Sequence, residues 1–247
     1  MKIILLRHGE SDWNLKNKFT GWEDISLTPK GINEAKFAGK QLVKEKINIS
    51  SIHTSILSRA TETTEIVCDI INFSKKNIIY DWRLNERHYG SLQGLNKSET
   101  ALKYGEKQVH IWRRSYDIPP PSLLKNDKRH PRFVKKFKKI GENLPSGESL
   151  KNVVERLNPF WKEYLNFINL NYGNHLIVAH SNSLRAIIKI LENLSKNEIM
   201  DVNIPTGVPL VYDFDDNFKI INKNFLINDE DLFKKQKQVA NQGKINK

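Results

Sequence analysis

The sequence predicts one α/β domain built in three layers, a mostly parallel sheet with helices on both faces. Two observations carry this. Short apolar runs alternate along the chain with segments whose apolar residues recur at helical spacing. Two of those runs, at residues 3–6 and 175–179, each lead into a histidine, at the strand end where open α/β sheets bind ligands. A length of 247 residues and a hydrophobic fraction of 38% suit a single domain of the larger kind with an adequate core.

Taken in order, Ile3, Ile4, Leu5 and Leu6 read as a buried strand. It stops at Arg7-His8-Gly9, where glycine lets the backbone turn sharply and approach a ligand closely. Thr28 followed by Pro29 marks a helix cap and the first helical position. Ile32, Ala35, Ala38, Leu42 and Val43 then form one apolar face, to about Lys46. Ile52-His53-Thr54 is a short strand, residues 55–71 a second helix with Arg59 in its first turn, and residues 78–80 another strand. Residues 81–144 are irregular, rich in charge and aromatics, and include Pro119-Pro120-Pro121. So long an insertion reads as a lid or pocket wall. A long helix is expected over 149–167, the strand at 175–179, a helix over 184–194, and strands near 210–214 and 218–221. The predicted organisation is an α/β domain over 1–227 and a mobile tail over 228–247. The tail has few apolar anchors, Leu232, Phe233, Val239, Ala240 and Ile245. Its end, Gly243-Lys244-Ile245-Asn246-Lys247, is able to lie over an anion-filled cleft.

Composition narrows the class. The formal charge is +12, yet lysine is scattered along the whole length and no zinc-finger, basic-zipper or RNA-motif signature accompanies it. A lysine-heavy solvated surface that also draws anionic esters toward a cleft is the reading favoured over nucleic-acid binding. There is no run of about 18 apolar residues, so no membrane helix is expected. The run at residues 3–6 is too short for a signal-peptide core. Cys68, the only cysteine, lies in an apolar stretch and reads as core, which fits a reducing, cytoplasmic setting.

The chemistry is concentrated at the two histidine-ended strands. A histidine beside an arginine can attack phosphorus while the guanidinium grips phosphate oxygens. His180 is followed by Ser181, Asn182 and Ser183, good capping residues at a helix N-terminus that favours an anion. The two strand ends look like two sides of one phosphate pocket. His8 is the candidate nucleophile and His180 its partner, stabilising phosphoryl oxygens in the transition state. Around His180 there is no cysteine and no histidine pair at metal-ligand spacing, so a zinc reading is set aside.

Arg7-His8-Gly9-Glu10-Ser11 with a late His180 resembles the histidine phosphatase superfamily. Longer stretches are similar to its cofactor-dependent phosphoglycerate mutases: Phe19-Thr20-Gly21-Trp22, residues 84–97 (LNERHYGSLQGLNK), Trp112-Arg113-Arg114, and residues 203–212 (NIPTGVPLVY). The similarity runs from residue 1 to the tail. It implies the fold of that family and the interconversion of 3- and 2-phosphoglycerate, a step of glycolysis and gluconeogenesis. The reaction would pass through phosphohistidine, primed by 2,3-bisphosphoglycerate, without a metal, in a homo-oligomer (dimer or tetramer). It assigns Arg7 and Arg59 to gripping phosphate, and Glu86 to general acid/base work on the substrate hydroxyl. Asn14, Thr20, Gly21, Arg87, His88, Tyr89, Lys97, Arg113, Arg114, Ser181 and Asn182 would be further substrate contacts. Three departures stand out: Ser181 where the family usually has glycine, a shorter and more basic segment near 127–139, and an altered 145–149. The rival readings are a phosphatase on the same fold and, from another class, a non-catalytic nucleic-acid binder. The mutase-like text at 84–97 and 203–212 argues against the first, and the intact His8, Arg7, Arg59, Glu86 and His180 against the second.

Overall fold

The structure is a computed structural model that describes residues 1–242. In chain order it comprises β1 (Lys2–Arg7), α1 (Asp12–Leu15), α2 (Pro29–Lys44), β2 (Ile49–Thr54), α3 (Ser58–Ile71), β3 (Ile78–Tyr80), α4 (Lys97–Tyr104), α5 (Glu106–Arg114), α6 (Leu150–Leu170), β4 (Asn174–Ala179), α7 (Ser181–Glu192), α8 (Glu198–Asp201), β5 (Pro209–Phe214), β6 (Ile220–Phe225) and α9 (Asp229–Asn241). Short 3-10 turns fill much of the segment between β3 and α6.

The six strands form one sheet in the order β3-β2-β4-β1-β5-β6. The first four run parallel, and β5 and β6 add two antiparallel strands at one side. Both faces of the central strands are buried, which is why they read as unbroken apolar runs rather than alternating ones. Side chains still alternate by direction. Ile3 and Leu5 of β1 pack with α6 and α7, whereas Ile4 and Leu6 pack with α2 and α3. Ile177 and Ala179 of β4 join the first group, Leu176 and Val178 the second. Thr28 caps α2 as expected, its hydroxyl accepting from the Gly31 amide with proline at the first position.

Three expectations are corrected. The segment 81–144 is not irregular throughout, because it contains α4 and α5. The buried residues of α4 are Lys97, Thr100 and Ala101, and those of α5 are Val109 and Arg114, so neither helix has an apolar stripe to read. The second helix starts at Ser58, since the Ser55 amide still bonds the Val178 carbonyl as an extension of β2. The last strand starts at Ile220, because a turn closed by Asp215 and Lys219 occupies the residues before it. The tail is helical through Asn241, although none of α9 is buried. Ile245 and the stretch Gly243–Lys247 lie outside the described residues.

Candidate active site

The parallel strands β2, β4 and β1 lie side by side and end together, so Ser55, His180 and His8 emerge at one edge of the sheet. The His8 amide bonds the Ala179 carbonyl at 3.1 Å, one residue beyond the β1–β4 pairing of Arg7 with Ala179. Gly9 is needed here for a reason other than ligand approach. A Cβ on Gly9 would run into the Gly31 carbonyl of α2, which packs directly against the strand end. Gly21, at φ +55, supplies the left-handed turn that a side chain would strain.

His8 is almost fully buried. Its Nδ1 lies 2.7 Å from the Gly9 carbonyl, which can only accept, so Nδ1 carries the proton. Nε2 therefore holds the lone pair, and Arg59 donates to it from Nε at 3.3 Å. Burial, then the positive charges of Arg59 and Arg7, hold His8 well below the usual histidine range. This is a neutral imidazole with a defined nucleophilic atom. The ring of His180 stands 4.9 Å from that of His8. Burial first, and the surrounding cations next, keep it neutral as well.

Beside His8 opens a polar cleft, of which the fully buried His180 is not a lining residue. Arg7, Arg59, Lys97, Arg113 and Arg114 line it, and Glu86 is the one carboxylate among its described lining residues. Arg59 is anchored by bonds to the Gly21 and Glu23 carbonyls at 2.8 and 2.9 Å, and burial brings it down to about 10. Arg7 donates Nη1 to the Ile204 carbonyl at 2.8 Å, while its Nε is buried without a partner. Thr20 Oγ1 is likewise buried and unpartnered. Burial and the neighbouring Arg113 and Arg7 push Lys97 well down. A crowd of desolvated cations with spare donors suits multiple anionic groups.

Glu86 is held from one side. Its Oε1 accepts the Arg87 amide at 2.7 Å and the Asn182 amide, at the start of α7, at 3.1 Å. That leaves Oε2 for exchange of a proton. Asn14 spends its Oδ1 on the Ser11 amide and hydroxyl at 3.1 and 2.9 Å, so its Nδ2 is free to donate. Asn182 Nδ2 donates to the Tyr89 hydroxyl at 3.3 Å.

Thus Arg7, His8, Asn14, Thr20, Gly21, Arg59, Glu86, Tyr89, Lys97, Arg113, Arg114, Ser181 and Asn182 all line one cleft. Arg87, His88 and His180 do not. The Arg87 guanidinium lies over the Tyr89 ring at 4.6 Å and donates to the Arg113 carbonyl at 2.8 Å, behind the cleft wall. His88 is buried, its Nδ1 accepting the Gly90 amide at 3.0 Å. Ser181 is the first helical residue of α7, with no positive φ, so the backbone there does not require glycine.

Some residues of the site carried no legible signal. Arg185, buried in α7, also lines the cleft and donates to Asn182 Oδ1 at 3.0 Å. Arg156, on α6, binds the backbone that carries Asn85 and Glu86. The end of α9 reaches the cleft arginines. Arg113 donates to the Gln242 carbonyl, Arg114 to that of Val239 at 3.5 Å, and Lys97 to Gln242 Oε1 at 3.4 Å. Cations at the last carbonyls of a helix suit its dipole.

The family model for the histidine phosphatase superfamily (branch 1) matches residues 3–224. Among solved structures, Mycobacterial hydrolase 1 shares the fold with a TM-score of 0.68 at 20% identity, over 91% of this chain and 95% of its own. Bacillus stearothermophilus YhfR shares it with 0.63 at 23%, over 89% and 93%. Three curated relatives match nearly end to end, each named 2,3-bisphosphoglycerate-dependent phosphoglycerate mutase. That of Parabacteroides distasonis is 51% identical over 98% of both chains, that of Treponema denticola 50% over 99% of both, and that of Hydrogenobaculum sp. 49% over 98% of both. The chain belongs to the histidine phosphatase superfamily and, within it, to the family of these mutases.

Proposed function

We propose that this protein interconverts 3-phosphoglycerate and 2-phosphoglycerate by moving a phosphoryl group on and off His8. The observation that carries the reading is the cleft itself, where a neutral histidine with an unprotonated Nε2 sits among desolvated cations and one carboxylate. Residues with that chemistry fit a ligand bearing two phosphates and a carboxylate. 2,3-Bisphosphoglycerate, when bound, supplies the phosphoryl group that primes His8. Arg7, Arg59, Lys97, Arg113 and Arg114 would hold its anionic groups, with Thr20, Asn14 and the Ser181 amide at the start of α7 as further donors.

In the transfer, Nε2 of His8 attacks phosphorus in line while Arg59 and Arg7 neutralise the equatorial oxygens. His180 stabilises the same oxygens from the other side. Glu86 Oε2 takes the proton of the incoming substrate hydroxyl and returns it to the leaving oxygen in the reverse step. Tyr89, Gly21, Ser181 and Asn182 shape the cavity and orient the carbon chain. Arg87 and His88 act from behind, by fixing Tyr89 and the loop after Glu86. The segment 81–144 and the tail would exclude water, so that phosphohistidine passes to substrate rather than to hydroxide.

We further propose a homo-oligomer (dimer or tetramer) in the cytoplasm, with small-molecule phosphoglycerates rather than nucleic acid or membrane as partners. The single buried cysteine is compatible with a reducing compartment, and no described helix is long and apolar enough to cross a membrane. The test is a coupled assay of 3-phosphoglycerate with and without the bisphosphate. Primer-dependent formation of 2-phosphoglycerate is expected, whereas release of inorganic phosphate without isomerisation would make the protein a phosphatase.

A further inference from the structure

Ser55 and Asn85 lie at the active edge of the sheet but are absent from the cleft lining, and both are fully buried. Their hydrogen bonds form a chain with a fixed direction. The Ile56 amide donates to Asn85 Oδ1 at 3.3 Å, which identifies that atom as the oxygen, since the reversed amide would set donor against donor. Ser55 Oγ lies 2.8 Å from the same oxygen, so the serine's one proton is committed there. Ser55 Oγ also accepts the Leu57 amide at 3.2 Å, and its remaining contact is Nε2 of His180 at 2.8 Å. A serine whose proton is spent can only accept from that nitrogen. Nε2 of His180 is therefore the protonated one, and Nδ1 of the neutral ring carries a lone pair. Nδ1 is buried without a partner, beside His8.

A lone pair repels phosphoryl oxygen, so the neutral ring cannot stabilise a phosphoryl group through Nδ1. We propose that Ser55 and Asn85 are positioning residues that lock His180 in the Nε2–H form, so that it engages the phosphoryl group only as an imidazolium, taking one proton from solvent onto Nδ1 as the anion arrives and releasing it when the anion leaves. This deepens the proposed function and rests on its assignment of His180 to the phosphoryl oxygens. The charged groups facing His180 are Arg7 at the end of β1 and Arg59 on α3, with Arg156 of α6 and the His8 ring beside them. Glu86 sits at the start of α7, bound to the Asn182 amide. With the cleft free of anions those cations oppose a charge on His180, and a phosphoryl dianion among them reverses the balance.

The test uses orthovanadate as the phosphoryl mimic, on the full-length protein. Histidine 15N spectra of the free enzyme should show His180 protonated at Nε2 alone, and vanadate should convert it to the doubly protonated ring. Ser55→Ala should abolish the single-tautomer signal and lower kcat roughly 10- to 100-fold, the loss expected for one hydrogen bond to a charged group. KM should change less than about twofold, because equal effects on both would mark a merely structural defect. Ser55→Thr, which keeps the hydroxyl, should restore both. A His180 protonated at Nδ1 alone in the free enzyme, or one that stays singly protonated with vanadate bound, would overturn the proposal even in an enzyme that interconverts the phosphoglycerates. Proton uptake at His180 in an enzyme that only hydrolyses them would sustain it while the mutase reading fails.

Discussion

Arg156 is the residue on which we expect the active edge to depend most, although it does not itself line the cleft. Its guanidinium meets the Glu148 carboxylate at 2.8 and 3.1 Å, with the two side chains only 7% and 6% exposed. It also donates to the carbonyls of Arg83, Asn85 and Glu86 at 2.6, 3.2 and 3.3 Å, and stacks 5.7 Å from the Trp22 ring. In Arg156→Met the methionine fills part of the space but leaves Glu148 buried with the His88 amide as its remaining partner. Breaking a buried pair from one side costs about 3–5 kcal/mol. Water entering the vacated volume re-solvates some of the freed carbonyls, so we hold the total near 4 kcal/mol. For a domain of this size that is a fall in Tm of roughly 8–16 °C. Adding Glu148→Gln removes the stranded charge and should recover more than half of the loss. Thermal unfolding followed by circular dichroism reads both variants. A single variant within 2 °C of wild type, or a double variant no better than the single, would refute the reasoning.

Further outcomes follow from other parts of the molecule. His53 sits on β2 against the rings of Phe160, Tyr164 and Phe167 at 6.0, 5.0 and 5.2 Å, and burial, with nearby His175, brings it down to about 4. The unfolded chain protonates His53 as pH falls below about 6.5 and the folded chain does not until about 4, so stability is full above this window and falls through it by about 1.4 kcal/mol per pH unit. Urea titrations at pH 7, 6, 5 and 4.5 should show that slope reduced by this amount in His53→Gln, and an unchanged slope would contradict the assignment. Cutting the chain after Ile227 should spare folding, since no residue of α9 is buried, while lowering mutase turnover and raising the share of phosphoenzyme lost to water. Equal mutase and bisphosphate-hydrolysis rates in the cut and full chains would remove α9 from the closure. Because cations rather than carboxylates line the cleft, dialysis against chelator should leave turnover unchanged. Loss of activity that manganese restores would point to metal chemistry instead.

The layers of the fold were legible because β1 and β4 bury both faces and α2, α6 and α7 each carry an apolar stripe. α4 and α5 were not, since they bury Lys97, Thr100 and Arg114 beside only a few apolar groups. Cationic side chains that line the cleft take the place of a hydrophobic period in both helices. His8 and His180 could be placed at strand ends from their positions after apolar runs. Glu86, Lys97, Arg113 and Arg114 could be placed only through family resemblance, because long loops bring them in and spacing says nothing of where such loops lead. Ser55, Asn85 and Arg156 escaped altogether. Each acts on groups far along the chain, as Ser55 does on His180 and Arg156 on Glu86.

The central claim is that a phosphoryl group resides on Nε2 of His8 between two substrates. Its most direct measurement is a rapid quench of the protein with 2,3-bisphosphoglycerate labelled in the transferable phosphate, followed by peptide mapping and a chase with unlabelled 3-phosphoglycerate. The account predicts an acid-labile, alkali-stable label on His8 that the chase removes into the phosphoglycerate pool at the rate of turnover, and no label in His8→Ala. Label on another residue, or label at His8 that leaves only as inorganic phosphate, would contradict it.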